Sequence, residues 1–152
     1  MVIHFRLAWL KPGAPVSKAF KTQAASNLFQ EYLQRISKFT GAKASAPAKD
    51  FSAPGQGIKR WLCDRGPGTE MPSSEVLAKK IQTLERSGVR ELEIWIGGPD
   101  GFAAEDLKKL ESDMRWCFGP LTLPHELAAI VASEQIYRAW TILRHHPYHQ
   151  GH

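Results

Sequence analysis

Three short glycine-bearing stretches hold the clearest chemical potential in this chain: Asp64-Arg65-Gly66-Pro67-Gly68, Gly97-Gly98-Pro99-Asp100-Gly101 and Gly119-Pro120-Leu121-Thr122. Each directly follows an apolar run of strand character. Glycine lets backbone approach a ligand closely, and open α/β sheets bind ligands at the carboxyl ends of their strands. Three such turns converging would offer backbone N–H and C=O groups to a flat polar ring such as adenine. Glycines also mark loops in any α/β protein, so the pattern by itself leaves both a nucleotide-like pocket and plain loop chemistry open.

Other chemistries find less support. GGPDG is not the GxGxxG dinucleotide fingerprint, and no Walker lysine motif occurs. Five histidines fall at 125, 145, 146, 149 and 152. Yet His145 and His146 are adjacent and diverge on a helix, while His149 and His152 sit in a tail where solvent exposure is the default. No metal site is expected. Cys63 and Cys117 lie in separate apolar segments and read as reduced core residues.

The elements that must position these turns follow from periodicity. Ile3, Phe5, Leu7 and Trp9 alternate with His4, Arg6 and Ala8, as in a strand. Apolar residues at Val16, Phe20, Leu28, Tyr32 and Ile36 predict an amphipathic helix from about Val16 to Phe39. Residues 40–57 are rich in Ala, Ser, Lys, Gly and Pro and predict at most a short strand, then a mobile loop ending in GQG. Ile58 to Cys63 reads as a strand. A helix capped by Ser73 or Ser74 follows, with Gly88 where a C-terminal cap belongs. Strands are expected at Leu92–Ile96 and around Met114 to Phe118, with a short helix over about 103–112 between them. Pro124 opens a last helix running to about His146, where Pro147 ends it. The alternation implies an α/β fold with a largely parallel sheet in one domain.

That last helix is apolar around much of its circumference, through Leu127, Ile130, Val131, Ile136, Tyr137, Trp140 and Leu143. Such a helix is expected to be enclosed by its own domain on one side and by a partner, a second copy, on the other. Glu134, Arg138, Thr141 and His145 form a polar stripe at helical spacing. The Glu134–Arg138 pair could equally be a structural i,i+4 contact.

The chain has 152 residues and a formal net charge of +5. Residues 1–65 hold 11 Lys/Arg against only Glu31, Asp50 and Asp64, so the excess is concentrated there. A basic half joined to a mildly acidic one suits a polyanionic partner on one face, or a solvated surface with none. The opening MVIHFRLAWL is too short and too charged for a membrane span or an export signal, so a cytoplasmic location without membrane attachment is expected.

With these segments placed, the sequence resembles the RlmH family of SPOUT-class methyltransferases, which act on pseudouridine in large-subunit ribosomal RNA. The resemblance rests on a strand running into IGGPDG, then LTLPHELAAIVASEQIYRAW, then HPYH, with Trp61-Leu62 as a further anchor. It implies a SPOUT-type α/β knot over residues 1–152, with helices flanking a parallel sheet and the segment from about 92 to 146 threaded as a C-terminal trefoil knot. It also implies a homodimer, S-adenosyl-L-methionine as methyl donor, and ribosomal RNA or the assembled ribosome as partner.

Carried over position by position, the cofactor contacts would be Leu62, Gly97, Phe118, Gly119, Pro120, Leu121, Thr122 and Leu123. Backbone of 119–123 would hold the adenine, and Leu62 and Leu123 would pack its faces. His125 and Arg138 match the substrate side. Arg138 would meet a phosphate or a uracil oxygen, and Tyr148 and His149 would close the site or handle a proton, a bulk hydroxide route staying open. The chain departs from the family pattern at Ala129, where an arginine is usual. Residues 40–57 replace a helix, the turn after Leu62 is about three residues longer, and the first strand ends LAWL. A non-catalytic SPOUT-fold binder of RNA or ribosomes, and a methyltransferase for a different RNA, are the alternative readings.

Overall fold

A computed structural model describes residues 1–47 and 53–150. Five strands form one sheet: β1 (Val2–Leu7), β2 (Ala42–Ser45), β3 (Ile58–Cys63), β4 (Glu91–Ile96) and β5 (Met114–Trp116). Their order is β2-β1-β4-β3-β5, and every neighbouring pair is parallel. Among the described residues, α1 (Gln23–Ser37), α2 (Ser74–Arg86) and α3 (Ala104–Lys109) lie between strands, and α4 (His125–Leu143) follows β5. All strand carboxyl ends therefore lie along one edge of the sheet, where the three glycine-bearing turns begin.

Period-two alternation sorts the strands onto two different faces. Ile3, Phe5 and Leu7 of β1, Leu92, Ile94 and Ile96 of β4, Trp61 of β3 and Trp116 of β5 face the main core, shared with Phe29, Leu77, Ile81, Ile136 and Trp140 of the helices. The opposite face holds a smaller cluster, Leu62, Trp95 and Leu110, with Phe102 and Leu107 packed against it. Beside that cluster lies buried charge. Arg60 donates to the Glu93 carboxylate from Nε at 3.1 Å and Nη2 at 3.0 Å, and Arg6 Nε reaches the other oxygen at 3.0 Å.

Three helix boundaries differ from expectation, the simplest being α3, which ends at Lys109 rather than about 112. The helix expected over 16–39 is split. Val16–Ala19 forms a 3-10 turn and Phe20 is extended, with the Ala19 carbonyl taken by Trp9 Nε1 at 2.7 Å. α1 then starts afresh, its Thr22 hydroxyl accepting from the Ala25 amide. α4 stops at Leu143 rather than near His146. His145 adopts a left-handed φ of 55°, its amide donating to the Ile142 carbonyl while the His146 amide donates to Thr141. That pair of bonds is a Schellman closure, so the stop precedes Pro147. Gly88 closes α2 with the same pair of bonds, to Glu85 and from Val89 to Leu84, and Ser73 caps its start. The expected short strand within 40–57 is β2, while the loop expected after it lies partly outside the described residues.

Candidate ligand cleft

A cavity of about 330 Å³ opens at the carboxyl ends of β3, β4 and β5 and the start of α4, a size suited to a nucleoside-like ligand. All three glycine-bearing turns line it. Of the residues expected at a cofactor, Gly97, Phe118, Gly119, Leu121, Thr122 and Leu123 do so, and His125 joins them from the substrate side. Leu62 and Pro120 do not. Leu62 is buried on the opposite sheet face against Trp95 and Leu110, so its side chain cannot pack a ring in this cleft. One step of strand alternation puts Cys63 there instead. Asp64, Arg65 and Asp100 were also missed, although they stand inside the turns singled out for their glycines.

The turns are tightly built. Gly101 donates its amide to the Gly98 carbonyl at 2.9 Å, closing GGPDG on itself. A Cβ on Gly97 would lie 3.0 Å from the Gly101 carbonyl carbon, so the close approach requires glycine. Gly119 holds φ 127°, a conformation L side chains rarely adopt, and the space beside it is open. The turn after β3 is pinned by Arg115, which donates from Nε to Asp64 at 2.9 Å and from Nη1 to the Pro67 carbonyl at 2.8 Å. Arg65 reaches from that turn to the next, donating to the Thr122 hydroxyl and to the Pro120 carbonyl. The His125 ring stands edge-on to Trp9, centroids 4.5 Å apart, which brings the segment after β1 to the same rim.

A second polar cluster sits elsewhere. Glu134 accepts from Arg138 Nη2 at 2.8 Å and from the Tyr148 hydroxyl at 2.9 Å. Arg138 Nη1 lies 3.1 Å from His149 Nδ1, and His149 Nε2 lies 2.8 Å from Glu75 at the start of α2. His149, expected to be solvent-exposed, is thus held on both ring nitrogens. Burial, then the Glu134 acceptor, pushes the Tyr148 hydroxyl pKa well up, so it stays protonated. The His149 hydrogen bond holds the Glu75 carboxyl below its usual range. Arg138, Tyr148 and His149 are therefore brought together, but not to the cleft. From His125 to Arg138, α4 rises about 20 Å at 1.5 Å per residue.

The remainder of the expected stripe dissolves. Thr141 is buried and donates to the Arg138 carbonyl, and His145 lies beyond the helix. Within the apolar girdle of α4, Ile136, Tyr137 and Trp140 are buried in the core shared with α1 and α2, while Ile130, Val131 and Leu143 are only half-buried. Leu127 remains exposed, as do Val76 and Met71. Ala129, at the place of the family's usual arginine, is fully buried and faces the chain's own core.

Fold and cleft together define a parallel α/β protein with a cavity at the strand carboxyl ends. Residues 59–149 match the family model described as "Predicted SPOUT methyltransferase", and the chain belongs to that family. It is 46% identical over 78 residues to "Ribosomal RNA large subunit methyltransferase H" of Saccharophagus degradans, covering 51% of this chain and 48% of that protein. The proteins of the same name from Pseudomonas aeruginosa (51% and 48% covered) and Acidithiobacillus ferrooxidans (51% and 46%) are equally identical over the same length. The chain thus spans about half the length of the curated relatives it matches. No helix among the described residues is long and apolar enough to cross a membrane.

Proposed function

We propose that this chain is an S-adenosyl-L-methionine-dependent methyltransferase acting on large-subunit ribosomal RNA in the cytoplasm, with N3 of a pseudouridine as acceptor. The observation that supports it most is the convergence of Gly97, Gly119 and Leu123 on one cavity in a SPOUT-family chain. The residues fit the cofactor chemically. Backbone is exposed at Gly119, where no side chain intrudes, and Phe118, Leu121 and Leu123 add apolar surface around it, as a purine requires.

S-adenosyl-L-methionine would supply a methyl group on a sulfonium, itself a good leaving group. The protein's task is then mainly alignment, together with removal of the N3 proton. Backbone of 119–123 would hold the ring and Gly97 would let the GGPDG turn close beside it. Tyr148, kept protonated by burial and Glu134, serves as a hydrogen-bond donor rather than a base. His149, held by Arg138 and Glu75, would close the substrate side beside it.

Arg138, Tyr148 and His149 can serve the reaction only if a second copy of the chain brings them to the cleft. Their distance along α4 from His125 supports a homodimer in which each cleft is completed by the partner. We further propose that residues 1–152 work as one domain, with the segment from about 92 to 146 threaded as the family's trefoil knot.

Titration calorimetry with S-adenosylhomocysteine tests the cleft, and absence of binding would favour a non-catalytic RNA binder, the reading to which Ala129 lends weight. Mass spectrometry of ribosomal RNA from cells with and without the gene tests the acceptor. A modification lost from another RNA, with 23S ribosomal RNA unchanged, would move the activity to that RNA.

A further inference from the structure

We propose that Arg65 anchors the amino-acid carboxylate of the cofactor. The inference rests on the cofactor reading above and assigns a subsite within it.

S-adenosyl-L-methionine and its demethylated product carry two chemically different ends. The glycine-bearing turns offer neutral backbone groups suited to the nucleoside. None of those groups neutralises the carboxylate at the other end. Among the charged side chains that line the cleft, Asp64 is already paired with Arg115. His125 packs against Trp9, with Nε2 3.9 Å from Glu126. Arg65 and Asp100 line the same cavity and have no ion pair among the described residues.

Arg65 is held in place without being neutralised. Its Nη1 donates to the Thr122 hydroxyl and its Nη2 to the Pro120 carbonyl at 3.2 Å. Both acceptors are uncharged, so the full positive charge stays at the rim of the cleft, held against the loop expected to hold the ring. A guanidinium has five N–H donors and matches a carboxylate with a planar fork. Two anchors on a neighbouring loop leave donors available and reduce the freedom lost when a ligand is clasped. Asp100, on the turn after β4, places an uncompensated carboxylate in the same cavity, suited to the ammonium next to that carboxylate.

A purely structural strap between the two turns is the competing role, and ligand choice separates the two. Calorimetry on the full chain would compare S-adenosylhomocysteine, which has the amino-acid end, with 5′-methylthioadenosine, which lacks it. Arg65→Gln removes the charge and leaves one amide NH2 on a shorter side chain. We expect it to weaken S-adenosylhomocysteine by about three- to tenfold, a charge-assisted bond discounted for exposure, and to leave 5′-methylthioadenosine within about twofold. An equal loss for both ligands would assign Arg65 to the strap and overturn the proposal, as would no loss for either. Should the wild-type chain bind neither ligand, the cofactor reading itself falls and this subsite with it. Wild-type binding of 5′-methylthioadenosine with no selective effect of Arg65→Gln leaves the cofactor reading standing and removes only the subsite.

Discussion

Glu134 grips Arg138 one helical turn along α4, accepting from Nε at 3.1 Å and Nη2 at 2.8 Å while also accepting from Tyr148 at 2.9 Å. One carboxylate therefore fixes two candidate substrate-side residues, and its other oxygen takes a bond from Gln135. Glu134→Gln removes the charge and leaves an amide of the same shape. Turnover should fall roughly 10- to 100-fold through misplacement of Arg138 and Tyr148, while the affinity for S-adenosylhomocysteine stays unchanged. Steady-state kinetics beside calorimetry checks it, and an unaltered kcat would reduce the contact to a helix-surface ion pair.

The GGPDG turn makes a sharper claim about sterics. Gly97→Ala would put a methyl 3.0 Å from the Gly101 carbonyl carbon, so the turn itself must move, whereas Gly98→Ala meets only Trp9 Cβ at 3.6 Å. The first should weaken S-adenosylhomocysteine by about tenfold or more, and the second by less than about threefold, a gap that rests on overpacking against backbone. Similar affinities for the two variants would remove Gly97 from the cleft's architecture.

Much of this was legible from residue order. Strand alternation located β1, β3 and β4, and glycine placement located all three turns of the cleft, because both signals are local. Leu62 shows where locality ended: a family correspondence identifies a strand end, but only the pleat decides which face a side chain takes. His149 shows another limit. Its partners Arg138 and Glu75 come from two helices far apart in sequence, and no spacing rule links them. The girdle of α4 was legible as a pattern, but which part of it packs against α1 and α2 is decided by tertiary contacts that no spacing rule supplies.

Buried charge on the second sheet face predicts acid sensitivity. Burial first, then Arg6, lowers the His4 pKa to about 4. Between that value and the ordinary 6.5 or so, the unfolded chain binds a proton that the folded chain lacks, so stability falls as pH drops through this window. Burial alone would raise the Glu93 pKa, but bonds and charge from Arg6 and Arg60 outweigh it and hold the carboxyl low. Its contribution is present above the ordinary carboxylate range and is lost as pH falls through the lower folded value, adding in the same direction. Urea midpoints measured from about pH 7 to pH 4.5 should decline in the wild type and decline less in His4→Gln. Parallel curves would show that His4 is not the group titrating.

The basic half of the chain is less free than its composition suggests. Arg6, Arg35, Lys43, Lys59 and Arg60 are each ion-paired within the chain. Lys11, Lys18 and Lys21 are exposed and have no ion pair among the described residues, and they lie on the segment that Trp9 joins to His125 at the cleft rim. Lys38 is also exposed and unpaired but follows the last turn of α1, toward the opposite edge of the sheet. Replacing Lys11, Lys18 and Lys21 with Gln should lower the slope of log K against log salt for RNA by roughly 2–3 units, while Lys38→Gln should leave it unchanged. Equal effects would spread the RNA over the whole basic surface.

The separation of Arg138 from the cleft along α4 makes the strongest demand. If each cleft borrows Arg138 from a partner, a chain with a ruined cleft can still lend its arginine. Gly97→Val and Arg138→Ala should each be inactive as homodimers, and Arg138→Ala should still bind S-adenosylhomocysteine. Co-expressed, the two chains would pair at random, and half the dimers would contain one chain of each kind. Each of those has one complete site, built from the intact cleft of one chain and the arginine of the other. Activity should therefore recover to about a quarter of wild type. A cis arrangement gives no recovery, because every protomer would then lack either its cleft or its arginine. Size-exclusion chromatography with light scattering on the same samples supplies the companion measurement. An inactive mixture that is fully dimeric would place Arg138 in cis, and a monomeric wild type with full turnover would remove the partner altogether.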